Sequence, residues 1–241
     1  MKVRNYINGQ FQLSDTKDFF DVHDPSNGRI IAQTPQSSVN DLDLAVSSAM
    51  LAFESWRSTP AVDRVQPLYK LKILLERDSD KISEILVQEH GKTLKEAKGD
   101  LLRGIQMCEV ACGIPSLSMG QFSNNVASGI DSFSLRRPIG VFAGINPFNF
   151  PAMVPFWFWP FAVATGNTYV MKPSERVPMT QEYIFSLIDE CGFPPGVINL
   201  VNGGKEIVNG ILEHRDISGV NFVGRTHVAK IVYEKCTQNR K

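Results

Sequence analysis

The sequence lacks the features that mark several common protein classes. It has no net charge, since 25 Lys+Arg balance 25 Asp+Glu over 241 residues. Nucleic-acid binders and polybasic membrane-surface proteins carry an excess of cations, so the balance argues against both. Only four Cys occur, without paired spacing, which argues against a disulfide framework. The four His are scattered, at His23, His90, His214 and His227. There is no zinc signature, P-loop, G-x-S-x-G elbow or G-x-G-x-x-G fingerprint, and no metal is expected. Met1–Gln10 has no apolar stretch of the kind a secretory signal needs, so a cytoplasmic location is expected. No Asp, Glu, Lys or Arg occurs from Pro138 to Met171, yet Pro, Gly and Asn punctuate this run. Its most apolar part, Phe150–Ala164, falls short of the ~20 residues a membrane span requires.

What is present is a core-forming composition, 43% apolar and 21% charged. Asn8-Gly9 predicts a tight hairpin, and Asp24–Gly28 predicts a second turn. Ser38 and Asp41 predict a helix start, with Ala45, Ala49, Ala52, Phe53 and Trp56 on its inner face. Further helices are expected over 62–77, 79–89 and 93–112. Residues 121–126 and 132–137, flanking Ser128-Gly129, predict a β-hairpin. From Ile139 onward apolar strands (139–145, 168–171, 197–201, 220–223) alternate with helices (152–165, 178–191, 206–213, 226–236). That alternation predicts an α/β fold: a Rossmann-like parallel sheet with helices on both faces and an inserted hairpin arm. The expected organisation is 1–120 as N-terminal strands and helices, 121–138 as the arm and 139–241 as the βαβ part.

Ligands of such sheets lie beyond the carboxyl ends of the strands. After the first strand comes Gly144–Pro151, where Asn149 either satisfies a turn or presents its amide to a developing oxyanion. After the second come Lys172, Glu175 and Arg176. A carboxylate there suits a ribose hydroxyl and disfavours the extra phosphate of NADP; a solvated charge cluster is the alternative. After the third, Gly203-Gly204 allows close backbone approach or a plain turn. After the fourth, Gly224 and Arg225 precede a helix that Thr226 could cap, a place suited to pyrophosphate. Arg103 alone fits a solvated helix face.

Together these segments resemble the aldehyde dehydrogenase superfamily. The resemblance rests on PIGVFAGINPFNFP at 138–151, ATGN at 164–167, MKPSE at 171–175, GFPPGVIN at 192–199 and FVG at 222–224. LRGIQMCEVACGIP at 102–115, SFSLRRP at 132–138, FPAMVP at 150–155 and YEKCTQN at 233–239 resemble the methylmalonate-semialdehyde dehydrogenase branch. The resemblance implies NAD as cofactor and coenzyme A as co-substrate. The implied reaction oxidises (methyl)malonate semialdehyde to propionyl-CoA or acetyl-CoA with loss of carbon dioxide. It implies that Asn149 serves the oxyanion, that Arg103 pairs with the substrate carboxylate, and that Asn146, Phe148, Lys172, Glu175 and Arg176 line the cofactor. It also implies a homo-oligomer assembled through the hairpin. The family's nucleophilic Cys lies beyond the cofactor domain, and Cys108, Cys112, Cys191 and Cys236 all sit in other motifs. The expectation is therefore an N-terminal portion without the catalytic thiol, inactive alone. A non-catalytic NAD-binding or assembly module and another dehydrogenase of acidic semialdehydes are the alternatives. Arg225 departs from the small serine usual in the family, and His227 and Cys236 are atypical of the branch.

Overall fold

The computed structural model describes residues 1–241. Strands β1 (Asn5–Ile7) and β2 (Gln10–Gln12) form the expected hairpin, with Asn8 and Gly9 at φ 53° and 75°, as a primed turn requires. Strands β3 (Phe19–His23) and β4 (Ile30–Pro35) form a second hairpin, closed by Asp24 accepting from the Ser26 N–H at 2.8 Å. Helix α1 (Val39–Trp56) starts at a capping box: Ser38 accepts from the Asp41 N–H and Asp41 accepts from the Ser38 N–H. The helix expected over 62–77 is instead two, α2 (Ala61–Arg64) and α3 (Gln66–Arg77). Pro67 in the first turn of α3 has no N–H to continue the preceding ladder. Helix α4 (Ser79–His90) stops at Gly91, φ 81°, and α5 (Leu94–Cys112) starts at a Thr93–Glu96 capping box. A short α6 (Ile114–Leu117) precedes the hairpin of β5 (Phe122–Ala127) and β6 (Ile130–Phe133), every residue of which is exposed.

The βαβ part contains β7 (Val141–Ile145), α7 (Met153–Phe156), α8 (Trp159–Ala164), β8 (Thr168–Lys172) and α9 (Met179–Cys191). It continues with β9 (Ile198–Leu200), α10 (Lys205–Glu213), β10 (Ile217–Phe222) and α11 (Thr226–Gln238). The single helix expected over 152–165 is two short ones, because Pro155 and Pro160 each remove a donor. No helix is long and apolar enough to cross a membrane.

The main sheet runs β10-β7-β8-β9-β1-β2. The first four strands are parallel, while β1 joins β9 and β2 antiparallel, with Tyr6 opposite Leu200. The sheet is thus mixed at one edge, where the N-terminal hairpin covers a strand that would otherwise be open. One face packs α1, α10 and α11 through Leu42, Ala45, Ala49, Ile207, Ile211 and Val232 onto Val141, Ala143, Ile145 and Val170. The other packs α3, α5 and α9 through Leu71, Leu101, Ile184 and Phe185 onto Tyr169, Met171 and Ile198. Successive residues of β8 therefore enter opposite cores, which is why the strand shows no polar alternation. After β7 the chain builds outward through β8 and β9, then returns to place β10 on the other side of β7. The crevice between β7 and β10 is a topological switch point, where such sheets take nucleotides.

Candidate functional site

Strand register brings three loops to one edge. Ile145 lies opposite Phe222 on one side and Lys172 on the other, so the loops after β7, β8 and β10 leave the sheet side by side. In the first loop Asn146 is buried. Its N–H donates to the Lys172 carbonyl at 3.0 Å, and its Nδ2 donates to the Gly144 and Lys172 carbonyls, both at 3.4 Å. Those carbonyls fix the amide's orientation and leave Oδ1 buried without a partner. A buried acceptor of this kind costs ~1–3 kcal/mol unless a donor arrives.

The second loop carries an ion pair. Lys172 Nζ lies 3.0 Å from Glu175 Oε2, with the lysine side chain buried and the carboxylate one-third exposed. Burial pulls the Lys172 ammonium below its usual value, against the pull of Glu175. Burial pushes the Glu175 carboxyl up, yet the Lys172 charge, backbone hydrogen bonding and Arg176 outweigh it and hold the group below the usual carboxylate range. Glu175 is therefore an anion with one side open to solvent. Arg176 is exposed, its guanidinium 5.6 Å from the Phe148 ring centroid. Phe148 in turn stacks on His90, centroids 6.4 Å apart. These three residues line a cavity of about 360 Å³.

In the third loop Arg225, rather than Thr226, occupies the N-cap of α11, and no side chain caps the helix. Its first-turn N–H groups and its dipole have no side-chain acceptor. Arg225 is exposed and makes no ion pair, so its side chain does not fill the crevice by a fixed contact. A Cβ on Gly224 would run into the Phe222 ring. Gly203 is different. It sits at φ 146°, and its Cβ position is occupied by Ile207 Cγ1 at 2.6 Å. Close packing of α10 accounts for that glycine without a ligand.

A second cavity, about 540 Å³, opens beside the first loop and is lined by His90, Lys92, Glu96, Asp100, Arg103 and Asn149 among others. Helix α5 thus brings Arg103 to the cavity that Asn149 also faces, although 46 positions separate them. The Asn149 side chain is exposed and has no hydrogen bond within the protein, and Arg103 is in no ion pair. Sequence reasoning missed Lys92, Asp100 and His90. Lys92 Nζ lies 2.7 Å from Asp100 Oδ2 and donates to the Asn149 carbonyl at 3.0 Å. Both ring nitrogens of His90 are buried without partners, and burial pulls its pKa down, so the ring is neutral at pH 7. Cys108, Cys112 and Cys191 are buried in the helical core, and Cys236 lies on α11. None lines either cavity.

Four parallel strands with helices on both faces and a switch point at β7 define a Rossmann-like α/β domain. The aldehyde dehydrogenase family model matches residues 11–241, and the chain belongs to that family. It is 48% identical over 240 residues to malonate-semialdehyde dehydrogenase of Bacillus cereus B4264, and 47% identical to that of Bacillus cytotoxicus. The match covers 100% of this chain and 49% of each relative. Methylmalonate-semialdehyde dehydrogenase from Oceanimonas doudoroffii superimposes with a TM-score of 0.97 at 42% identity. So does a protein from Sinorhizobium meliloti 1021 assigned the same activity and crystallised with NAD, TM-score 0.97 at 38% identity. In both structures the match covers 100% of this chain and 49% of theirs. The chain spans about half the length of the relatives it matches.

Proposed function

We propose that this chain forms the NAD-binding part of a coenzyme-A-acylating dehydrogenase of malonate or methylmalonate semialdehyde. The observation that carries the reading is the convergence of Asn149 and Arg103 on one cavity, next to the crevice flanked by Asn146 and the Lys172–Glu175 pair. The residues present fit a dinucleotide. The orphaned Asn146 Oδ1 needs a donor, Glu175 offers a carboxylate to ribose hydroxyls, and the uncapped start of α11 offers N–H groups to pyrophosphate. Phe148 and Arg176 would wall the cofactor on one side. When bound, NAD supplies a hydride acceptor. The Asn149 amide stabilises negative charge as it develops on the aldehyde oxygen, and Arg103 grips the carboxylate at the other end of an acidic substrate. The covalent step needs a thiol, and coenzyme A needs an acyl thioester to attack; these 241 residues bring no thiol to the cavity. The activity therefore belongs to an assembly that adds one, and the chain alone turns over no substrate.

Calorimetric titration of the chain with NAD and with NADP tests the reading. NAD binds and NADP binds more weakly, because the 2′-phosphate meets the Glu175 carboxylate. Failure of NAD to bind at millimolar concentration would overturn the proposal. A second reading, a non-catalytic assembly module, draws on the β5–β6 hairpin, whose Phe122 and Phe133 are 68% and 70% exposed. Stable oligomers by light scattering without nucleotide binding would favour it; oligomers together with NAD binding fit a homo-oligomeric dehydrogenase built through this arm.

A further inference from the structure

The stretch from Asn149 to Met153 leads from β7 into α7, whose first residue is Met153. Three polar side chains from outside hold it by its backbone. Lys92 Nζ donates to the Asn149 carbonyl at 3.0 Å, Gln181 Nε2 donates to the Pro151 carbonyl at 2.6 Å, and Asp100 Oδ1 accepts from the Met153 N–H at 2.7 Å. The first and third are one unit, since Asp100 Oδ2 lies 2.7 Å from Lys92 Nζ with side-chain exposures of 0% and 9%. Lys92 Nζ also sits 4.6 Å from the Phe150 ring centroid. Gly104 on α5 lets the helix come this close, because a Cβ there would lie 3.3 Å from the Ala152 carbonyl and 3.2 Å from the Phe156 ring. Two buried charges in so small a volume are costly unless paired and fully hydrogen-bonded. Here each meets its partner and also reaches the loop backbone.

We propose that Lys92 and Asp100, aided by Gln181, are positioning residues: a buried brace that sets the backbone of 149–153 and so aims the free Asn149 amide into the Arg103 cavity. The inference rests on Asn149 being the oxyanion donor. A donor of this kind is effective only when its direction is set before charge develops. The Asn149 side chain has no hydrogen bond of its own in the protein, so its direction comes from the backbone that bears it.

The test is amide hydrogen exchange on the full chain, with the Asn149 side-chain amide followed by nitrogen-15 NMR. Lys92→Met raises exchange over 149–154 about tenfold and shifts or broadens the Asn149 amide signal, while β7 and α10 keep wild-type exchange. Lys92→Arg, which retains charge and donors, restores both. If Lys92→Met fails to fold because Asp100 is left as an unpaired buried charge, the double variant Lys92→Met/Asp100→Asn removes both charges and carries the same expectation. Unchanged exchange over 149–154, or an increase spread evenly through the chain, would overturn the brace. Neither readout needs nucleotide or aldehyde, so loss of NAD binding in the wild type would sink the functional reading separately from the brace.

Discussion

Glu89 gives the most demanding prediction about stability. Helix α9 begins after Pro178, whose ring offers no acceptor, and no local side chain caps it. Glu89, near the end of α4, supplies the missing acceptor from 90 positions away. Its carboxyl accepts from the Met179 N–H at 2.7 Å and the Thr180 N–H at 3.0 Å, and it hydrogen-bonds the Thr180 hydroxyl. The group is 3% exposed. Burial pushes its pKa up to about 7 from an ordinary 4.5, and the Thr180 and Met179 donors only reduce the rise. Between those two values the folded chain keeps a proton that the unfolded chain has released. The stabilisation is fully present below pH 4.5 and disappears as pH rises through 7. At ~1.4 kcal/mol per pH unit, the loss across the window is about 3 kcal/mol, a large share of a typical ~5–15 kcal/mol stability.

Urea unfolding at pH 5, 6, 7 and 8, followed by tryptophan fluorescence, measures it in wild type and in Glu89→Gln. The comparison is necessary because neighbours also titrate. Burial holds His90 low, which removes stability as pH falls, whereas Glu182, raised by burial, acts with the same sign as Glu89. Glutamine keeps one acceptor for Thr180 and has no proton to lose. It costs most at pH 5, where the wild type holds its proton, and the gap closes by about 3 kcal/mol toward pH 8. A gap that stays constant, or that widens toward pH 8, would refute the reasoning. It would mean that the three donors and the helix dipole win over desolvation and that Glu89 is a stable buried anion.

Three further outcomes are expected. Gly144→Ala drives a methyl into the Tyr169 hydroxyl at the end of β7, and chemical denaturation should show a loss of ~1–3 kcal/mol. Trp159→Ala empties a fully buried site between Phe156 and Phe193, with ring centroids at 5.4 and 6.1 Å; the same assay should read ~3–5 kcal/mol. Arg103→Met should weaken calorimetric binding of malonate, a probe for the acidic substrate, at least about tenfold while leaving NAD affinity unchanged, because a bidentate guanidinium is replaced by a neutral chain.

What was legible in the sequence was whatever local chemistry specifies. The Asn8-Gly9 turn and the Ser38 cap need only a few neighbours, and the apolar strands announce their burial on both faces. The breaks within 62–77 and 152–165 also had a local signal in Pro67, Pro155 and Pro160, but continuous apolar character obscured it. The pairing of β1 with β9 joins Tyr6 to Leu200, and no periodicity in either segment names the other. The candidate site divides the same way. Asn149, Glu175 and Gly224 follow strand ends and could be found by position alone, whereas the brace draws on the α4–α5 link, α5 and α9. The Glu89 cap shows how part of that remote chemistry can still be inferred. A helix that starts after a proline with no Ser, Thr, Asp or Asn before it has donors without acceptors, and in a buried setting they must be met from elsewhere in the fold. The identity of the group that meets them depends on packing, which is why α9 could be placed from its pattern while its cap could not.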